Sequence, residues 1–209
     1  MAKPETTGRT TRTFLALGVS AEARRALGRI RASLARALPA VRFADLAGVH
    51  LTLTFLGSLD AEQLALATEG AEASAHASSP FDLTLGRPGF FGPAHAPRVL
   101  WVGVDGQIDP LRTLQRRLAD ELAARGFPRE SRPFAAHLTL ARLNHPLSPE
   151  EQTRLQTALV ALAQLPTPNA PWRIETLDVM ASELRPTGAR YTRLRACPLA
   201  SPTSPPNGE

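Results

Sequence analysis

Residues 49–57 read VHLTLTFLG and residues 132–142 read RPFAAHLTLAR. The tetrapeptide His-Leu-Thr-Leu therefore occurs twice, at 50–53 and at 137–140, and these copies hold two of the chain's five histidines. Both copies alternate as a half-buried β-strand does, with successive side chains on opposite faces. His50 and Thr52 then share one face and Leu51 and Leu53 the other. His137 and Thr139 stand in the same way against Leu138 and Leu140. Each strand would bury its leucines beneath helices and present an imidazole and a hydroxyl roughly 7 Å apart. The copies lie 87 residues apart, too far for a short solenoid repeat, and fit two copies of a half-domain.

Strand and helix patterns alternate on both sides of these copies. Thr13 to Val19 is apolar and extended. Ser20 can cap a helix whose stripe is Leu27, Ile30, Leu34 and Leu38, leaving Arg24, Arg25, Arg29, Arg31 and Arg36 largely on the outside. Asp60 and Gln63 have the spacing of a capping box that opens an Ala-rich helix to about Ala77. Phe81 to Leu85 and Arg98 to Val104 read as strands separated by a Gly/Pro loop from Arg87 to Pro97. Asp109 followed by Pro110 predicts the next helix start, with Leu111, Leu114, Leu118 and Leu122 as its stripe and Gly126 at its exit. Ser148, Pro149 and Glu151 start a further helix with Leu155 and Leu159 inward. Trp172 to Met180 and Arg190 to Ala196 close the pattern as strands. The expected architecture is α+β, with mostly antiparallel sheets covered by helices on one face. One domain would span 12–197, between tails at 1–11 and 198–209.

Composition bounds the function loosely. The chain has 209 residues, 43% of them hydrophobic, a single cysteine, Cys197, and a net charge of +5. No apolar run approaches the ~20 residues of a membrane-spanning helix, and the first apolar run reads as a strand, not a signal peptide. One cysteine gives neither an internal disulfide nor a cysteine-based metal site. The expected setting is the cytoplasm. The basic residues are 23 arginines and one lysine, Lys3. Arginine suits bidentate phosphate contacts, although coding bias produces the same excess. The positive charge favours an anionic partner without naming it.

Two imidazoles and two hydroxyls facing one cleft form a set that phosphodiester hydrolysis can use. A neutral histidine takes a proton from water and a protonated one gives a proton to the departing alkoxide. Histidine serves both roles because its unperturbed pKa is ~6.5. The threonine hydroxyls can donate to non-bridging oxygens, where charge builds. A strained 2′,3′-cyclic phosphate supplies part of its own driving force and needs no metal. A lone His-x-Thr strand more often carries a structural histidine; a second copy in a matching context reverses those odds. Zinc is disfavoured, since each strand offers one ligand and no acidic residue sits at ligand spacing. His76, His95 and His145 fall in a helix end and Pro-rich loops.

With these motifs the chain resembles the 2H phosphoesterase superfamily, defined by two His-x-Thr/Ser-x motifs. It is most similar to the bacterial and archaeal RNA 2′,3′-cyclic phosphodiesterase branch, historically called 2′-5′ RNA ligases. TFLALGV at 13–19, VHLTLTFLG, RVLWVGV at 98–104, RPFAAHLTLAR and SELRPTGARY at 182–191 follow in that branch's order. The resemblance implies two pseudo-symmetric lobes, each a mostly antiparallel sheet with helices outside, around a basic cleft. It implies a monomer without cofactor or metal that hydrolyses the cyclic phosphate on RNA ends to a 2′-phosphomonoester; some members also make or break 2′-5′ linkages in tRNA halves. His50 would be the general acid, His137 the general base, and Thr52, Thr139 and Arg142 the phosphate contacts. Phe43 stands where the family often has tryptophan and could stack on a base or pack in the core. Ala136 replaces the family's proline before the second histidine.

Two questions stay open at this level. Arg142 is five residues from His137, so a regular strand would put it on the opposite face; either the strand bulges or the side chain reaches around its end. The same residues would also serve an enzyme of small cyclic nucleotides, or a 2′-5′ ligase. A non-catalytic RNA-binding module would have no need of both imidazoles.

Overall fold

The leucine faces of the strands and the stripes of the helices meet in one core, whose elements occur in a simple order. The strands are β1 (Thr11–Leu17), β2 (Leu51–Leu59), β3 (Phe81–Phe91), β4 (Val99–Gly106), β5 (His137–Arg142), β6 (Trp172–Ile174), β7 (Thr176–Arg185) and β8 (Gly188–Pro198). The helices are α1 (Ala21–Ala37), α2 (Ala61–His76), α3 (Ile108–Ala124) and α4 (Pro149–Gln164). The computed structural model describes residues 10–166, 171–185 and 188–200. The expected tails at 1–9 and 201–209 lie outside the described residues, as do residues 186–187 of the SELRPTGARY segment.

Helix starts follow the capping signals with one exception. The Ser20 hydroxyl accepts from the Ala23 backbone N–H at the head of α1. Full capping boxes open α2 (Asp60 with Gln63) and α4 (Ser148 with Glu151), so first-turn N–H groups find partners. The third helix departs from expectation: α3 begins two residues early, at Ile108, after Gln107. Gln107 is bound to β3 instead, its side-chain oxygen accepting from the Asp82 N–H at 2.7 Å and its own N–H donating to the Asp82 carbonyl at 2.9 Å. Pro110 still falls in the first turn, where its missing N–H costs nothing.

All eight strands join one antiparallel sheet in the order β6-β3-β4-β5-β2-β1-β7-β8. The two expected lobes are the two halves of this sheet, β6-β3-β4-β5 and β2-β1-β7-β8, joined at the β2/β5 seam through the single pair Leu51–Leu138. The expected strand from Trp172 to Met180 is broken at Glu175. Its first piece, β6, pairs with β3 at one edge, and its second, β7, pairs with β1 six positions away. A flat sheet would separate those positions by roughly 29 Å at ~4.8 Å per strand, whereas two residues of chain span only about 7 Å. The sheet must therefore curl until its ends approach.

Two further boundaries shift. The expected loop at 87–97 is strand in its first part: β3 continues through Pro88 to Phe91, with a register shift between Leu85 and Pro88. Proline supplies no ladder N–H, so the shift falls where a regular ladder would fail. Residues 198–200, assigned to the C-terminal tail, are anchored. Leu199 is buried and its N–H donates to the Glu175 carbonyl, while the Ala200 N–H donates to Ser78.

Leu51, Leu53, Leu138 and Leu140 enter the core with the helix stripes, as the alternation requires. The helices pair as α1 with α4 and α2 with α3. Among the described residues, no helix is long and apolar enough to cross a membrane.

Candidate active site

The two motifs meet at the seam. Leu51 of β2 stands opposite Leu138 of β5 in an antiparallel pair, so each histidine lies beside the other motif's threonine: His50 by Thr139, and Thr52 by His137. Adjacent strands bring such neighbours within ~5 Å at Cβ. The expectation from sequence set the two strands face to face across a cleft; they are neighbours in one sheet that splays apart from this pair.

Both imidazoles are held alike. His50 follows a 3-10 turn at Leu46–Gly48 that Asp45 caps, and its Nδ1 lies 2.8 Å from the Gly48 carbonyl. His137 Nδ1 lies 2.7 Å from the Ala135 carbonyl. A carbonyl only accepts, so each Nδ1 carries the hydrogen and each Nε2 is the nitrogen left for chemistry. Burial pushes both histidines below their ordinary pKa, and the carbonyl bonds partly offset this. The charge of His137 lowers His50 further, and the charge of Arg142 does the same to His137.

Arg142 reaches this face through a bulge. Trp101 of β4 pairs with Thr139 and Leu100 with Ala141, so Leu140 is the extra residue. Leu140 and Ala141 are consecutively buried, which turns Arg142 back to the side of His137 and Thr139. Phe43 goes elsewhere. It bridges to Ala141 and packs against the core with that buried residue, so its ring lies on the helix side of the sheet. The stacking role considered for Phe43 has no geometric support.

The aromatic rings at the site are others. Phe14 stacks on His50 with ring centres 4.6 Å apart, and Tyr191 meets His50 edge-on at 4.9 Å. Phe91 meets His137 edge-on at 4.8 Å, with Trp101 at 6.5 Å. Two glycines admit these rings: a Cβ on Gly48 would come within 3.2 Å of the Tyr191 ring, and one on Gly89 within 2.7 Å of the Trp101 indole. Sequence reasoning missed this packing. Phe14 and Trp101 sit inside strands already recognised, but their faces depend on which strands neighbour the histidines.

His50 borders a cavity, and Ala136, next to His137 in the chain, borders a groove. The cavity beside His50, of about 320 Å³, is lined by Tyr191, Arg24, Arg193 and Asp178. Asp178 is buried, and burial raises its carboxyl pKa against the lowering effect of Arg193. Arg24, expected on the outer face of α1, is half-buried here. The groove is wider, about 970 Å³, and runs from Ala136 and Trp101 past Arg87 and Asp105. His76, His95 and His145 are exposed. Among the described residues, no three His, Cys, Asp or Glu side chains gather to hold a metal ion.

The model of the 2′-5′ RNA ligase superfamily matches residues 19–185. The chain is 30% identical over 199 residues to an RNA 2′,3′-cyclic phosphodiesterase of Geobacillus stearothermophilus, covering 94% of this chain but 60% of that relative's length. A protein of the same name from Thermotoga maritima is 27% identical over 186 residues, 89% of this chain and 94% of its own. Among solved structures, TT0787 of Thermus thermophilus superposes with a TM-score of 0.73 at 26% identity, covering 91% of this chain and 98% of its own. Escherichia coli LigT complexed with 3′-AMP gives a TM-score of 0.69 at 27% identity with the same coverage.

Proposed function

The chain belongs to the 2′-5′ RNA ligase superfamily, and we propose that it is an RNA 2′,3′-cyclic phosphodiesterase that opens the terminal ring to a 2′-phosphomonoester. The observation that carries this reading is the pair of identically held histidines on adjacent strands, each with Nδ1 fixed by a carbonyl and Nε2 free. The names of its relatives support the same chemistry.

In the proposed reaction the phosphate lies at the seam with its charged oxygens toward Arg142, Thr52 and Thr139. His137, neutral, takes a proton from water as the water oxygen bonds to phosphorus on the side opposite O3′. The P–O3′ bond breaks, and His50, protonated, gives its Nε2 proton to O3′. The products are a 3′-hydroxyl and a 2′-phosphate. His50 and His137 have then exchanged protonation states, and one proton returned through solvent resets them. No step calls for a metal ion. The acid/base pair comes from one chain, so a monomer suffices, and RNA ends such as those of tRNA halves in the cytoplasm are the proposed substrates.

The test is incubation of an oligonucleotide bearing a 2′,3′-cyclic phosphate with the protein in EDTA, followed by identification of the phosphate position. A 2′-phosphomonoester is expected. A 3′-phosphate would reverse the bond assignment, and turnover that needs an added divalent ion would remove the two-histidine mechanism.

A further inference from the structure

The cavity beside His50 carries more positive charge than the fold neutralises. Small residues open the space: Ala16 and Gly18 around the end of β1, and Ala47 and Gly48 just before His50. Its charged wall is Arg24 of α1, Arg193 of β8 and Asp178 of β7. Arg193 has a partner, since its guanidinium lies 3.6 Å from the Asp178 carboxylate. Arg24 has none. Among the described residues it is in no ion pair, and its Nε is buried without a hydrogen-bond partner. Two guanidiniums against one carboxylate leave the wall positive. A half-buried charge without a partner is costly, and an arginine fork is shaped for the oxygens of a phosphate.

The cyclic phosphate is not that anion, because in the proposed reaction it lies at the seam against Arg142. The ribose says where the next one lies. His50 gives its proton to O3′, which hangs on C3′; C3′ is bonded to C4′, and C4′ carries C5′ and the 5′ oxygen. The chain therefore leaves the ring from the O3′ side, the side of His50. Water and His137 hold the opposite side of phosphorus. The first charged group along the departing chain is the phosphodiester to the preceding nucleotide. His50 is itself part of the cavity wall, so the cavity begins at the group that touches O3′.

We propose that Arg24 binds the phosphodiester on the 5′ side of the terminal nucleotide, and that this cavity is where the protein separates RNA ends from free cyclic nucleotides. This rests on the phosphodiesterase reading above and on the placement of His50 at O3′. A nucleoside 2′,3′-cyclic phosphate has no such group and leaves Arg24 unpaired. A contact to the backbone alone carries no base preference.

The test uses three substrates: a dinucleotide ending in a 2′,3′-cyclic phosphate, the same dinucleotide with an uncharged methylphosphonate as its internal linkage, and the nucleoside 2′,3′-cyclic phosphate. The wild-type protein should open the charged dinucleotide roughly ten- to hundred-fold better in kcat/KM than the neutral one, the scale of a hydrogen bond to a charged group. The nucleoside substrate should be no better than the neutral dinucleotide. Arg24→Gln should remove the advantage of the charged linkage. Arg24→Lys keeps the charge without the fork and should retain only part of it; it reads the same contact should the glutamine variant fold poorly. Equal wild-type rates on charged and neutral linkages would overturn the proposal, as would an Arg24→Gln protein that still prefers the charged one. If the wild-type protein opened none of the three, the phosphodiesterase reading itself would fall, a result distinct from both.

Discussion

The His50 half and the His137 half of the sheet share a framework and differ at its tip. In both, a carbonyl two residues before the histidine fixes Nδ1, a threonine follows at the second position, and a bulge at the third restores the fifth residue to the reactive face. In both, aromatic rings on neighbouring strands pack against the imidazole. At the fifth position one half places an open phenyl ring, Phe55, and the other a guanidinium, Arg142. In the proposed reaction the duplicated strand supplies two proton-transfer groups, and the fifth position is where the two copies differ.

The largest effect tests the shared part. His50→Ala and His137→Ala should each cost roughly 10²–10⁴-fold in turnover, with thermal unfolding little changed because neither ring belongs to the leucine core. A near-normal rate in either variant would mean that the copies are not functionally paired. A substrate whose 3′ leaving group needs little protonation then separates the roles. It should restore much of the rate to His50→Ala and little to His137→Ala; the opposite rescue would exchange acid and base between the halves.

Arg142→Ala comes next and tests the differing part. Loss of a charge-assisted contact to phosphate should cost up to about 100-fold in kcat/KM. Arg142→Lys should recover only part of it, because the bidentate fork is gone. Full activity in either would leave the guanidinium a structural role. Thr52→Ala and Thr139→Ala should be milder, about ten-fold each for a neutral hydroxyl donor, below the ~3 kcal/mol that one transition-state donor can contribute. A loss confined to one threonine would show that the phosphate leans toward one half.

Local chemistry makes much of this fold legible, and non-local pairing hides the rest. Ser20, Asp60 with Gln63, and Ser148 with Glu151 announce helices because a cap is made within four residues of itself. His50, Thr52, His137 and Thr139 fall on one face by alternation alone. The bulge that turns Arg142 inward does not show in the same way, since a bulge exists only relative to a partner strand. The break at Glu175 is of the same kind: Trp172 to Met180 is one extended run locally, and only β3 and β1 competing for it divide the run. The family resemblance points to Phe43 and passes over Phe14, Phe55 and Tyr191, because ring placement follows strand order, which the sequence does not print. Arg24 looks like its neighbours on α1, yet it lines the cavity beside His50.

The smallest effect expected is a displacement of pH dependence, and it ties the guanidinium to one histidine. The proposed hydrolysis needs one imidazole neutral and one charged, so kcat/KM should follow a bell. Both histidines are lowered from their ordinary value. The proton-donating form is therefore lost, as pH rises, earlier than for a free imidazole, and the proton-accepting form survives to lower pH. The optimum for the free protein should lie on the acidic side of ~6.5. Bound phosphate is an anion and favours the charged forms, so the kcat profile should sit at higher pH than that of kcat/KM. Arg142 lowers His137 through its charge; removing it in Arg142→Ala should raise the His137 pKa and carry that limb of the bell to higher pH. His50 is lowered by burial and by the charge of His137, so its limb should move less, and only through its coupling to His137. Phe55→Ala carries no charge change and should leave both limbs in place. If Arg142→Ala moved neither limb, the guanidinium would not stand beside His137, and the contrast between the two fifth positions would lose its electrostatic half.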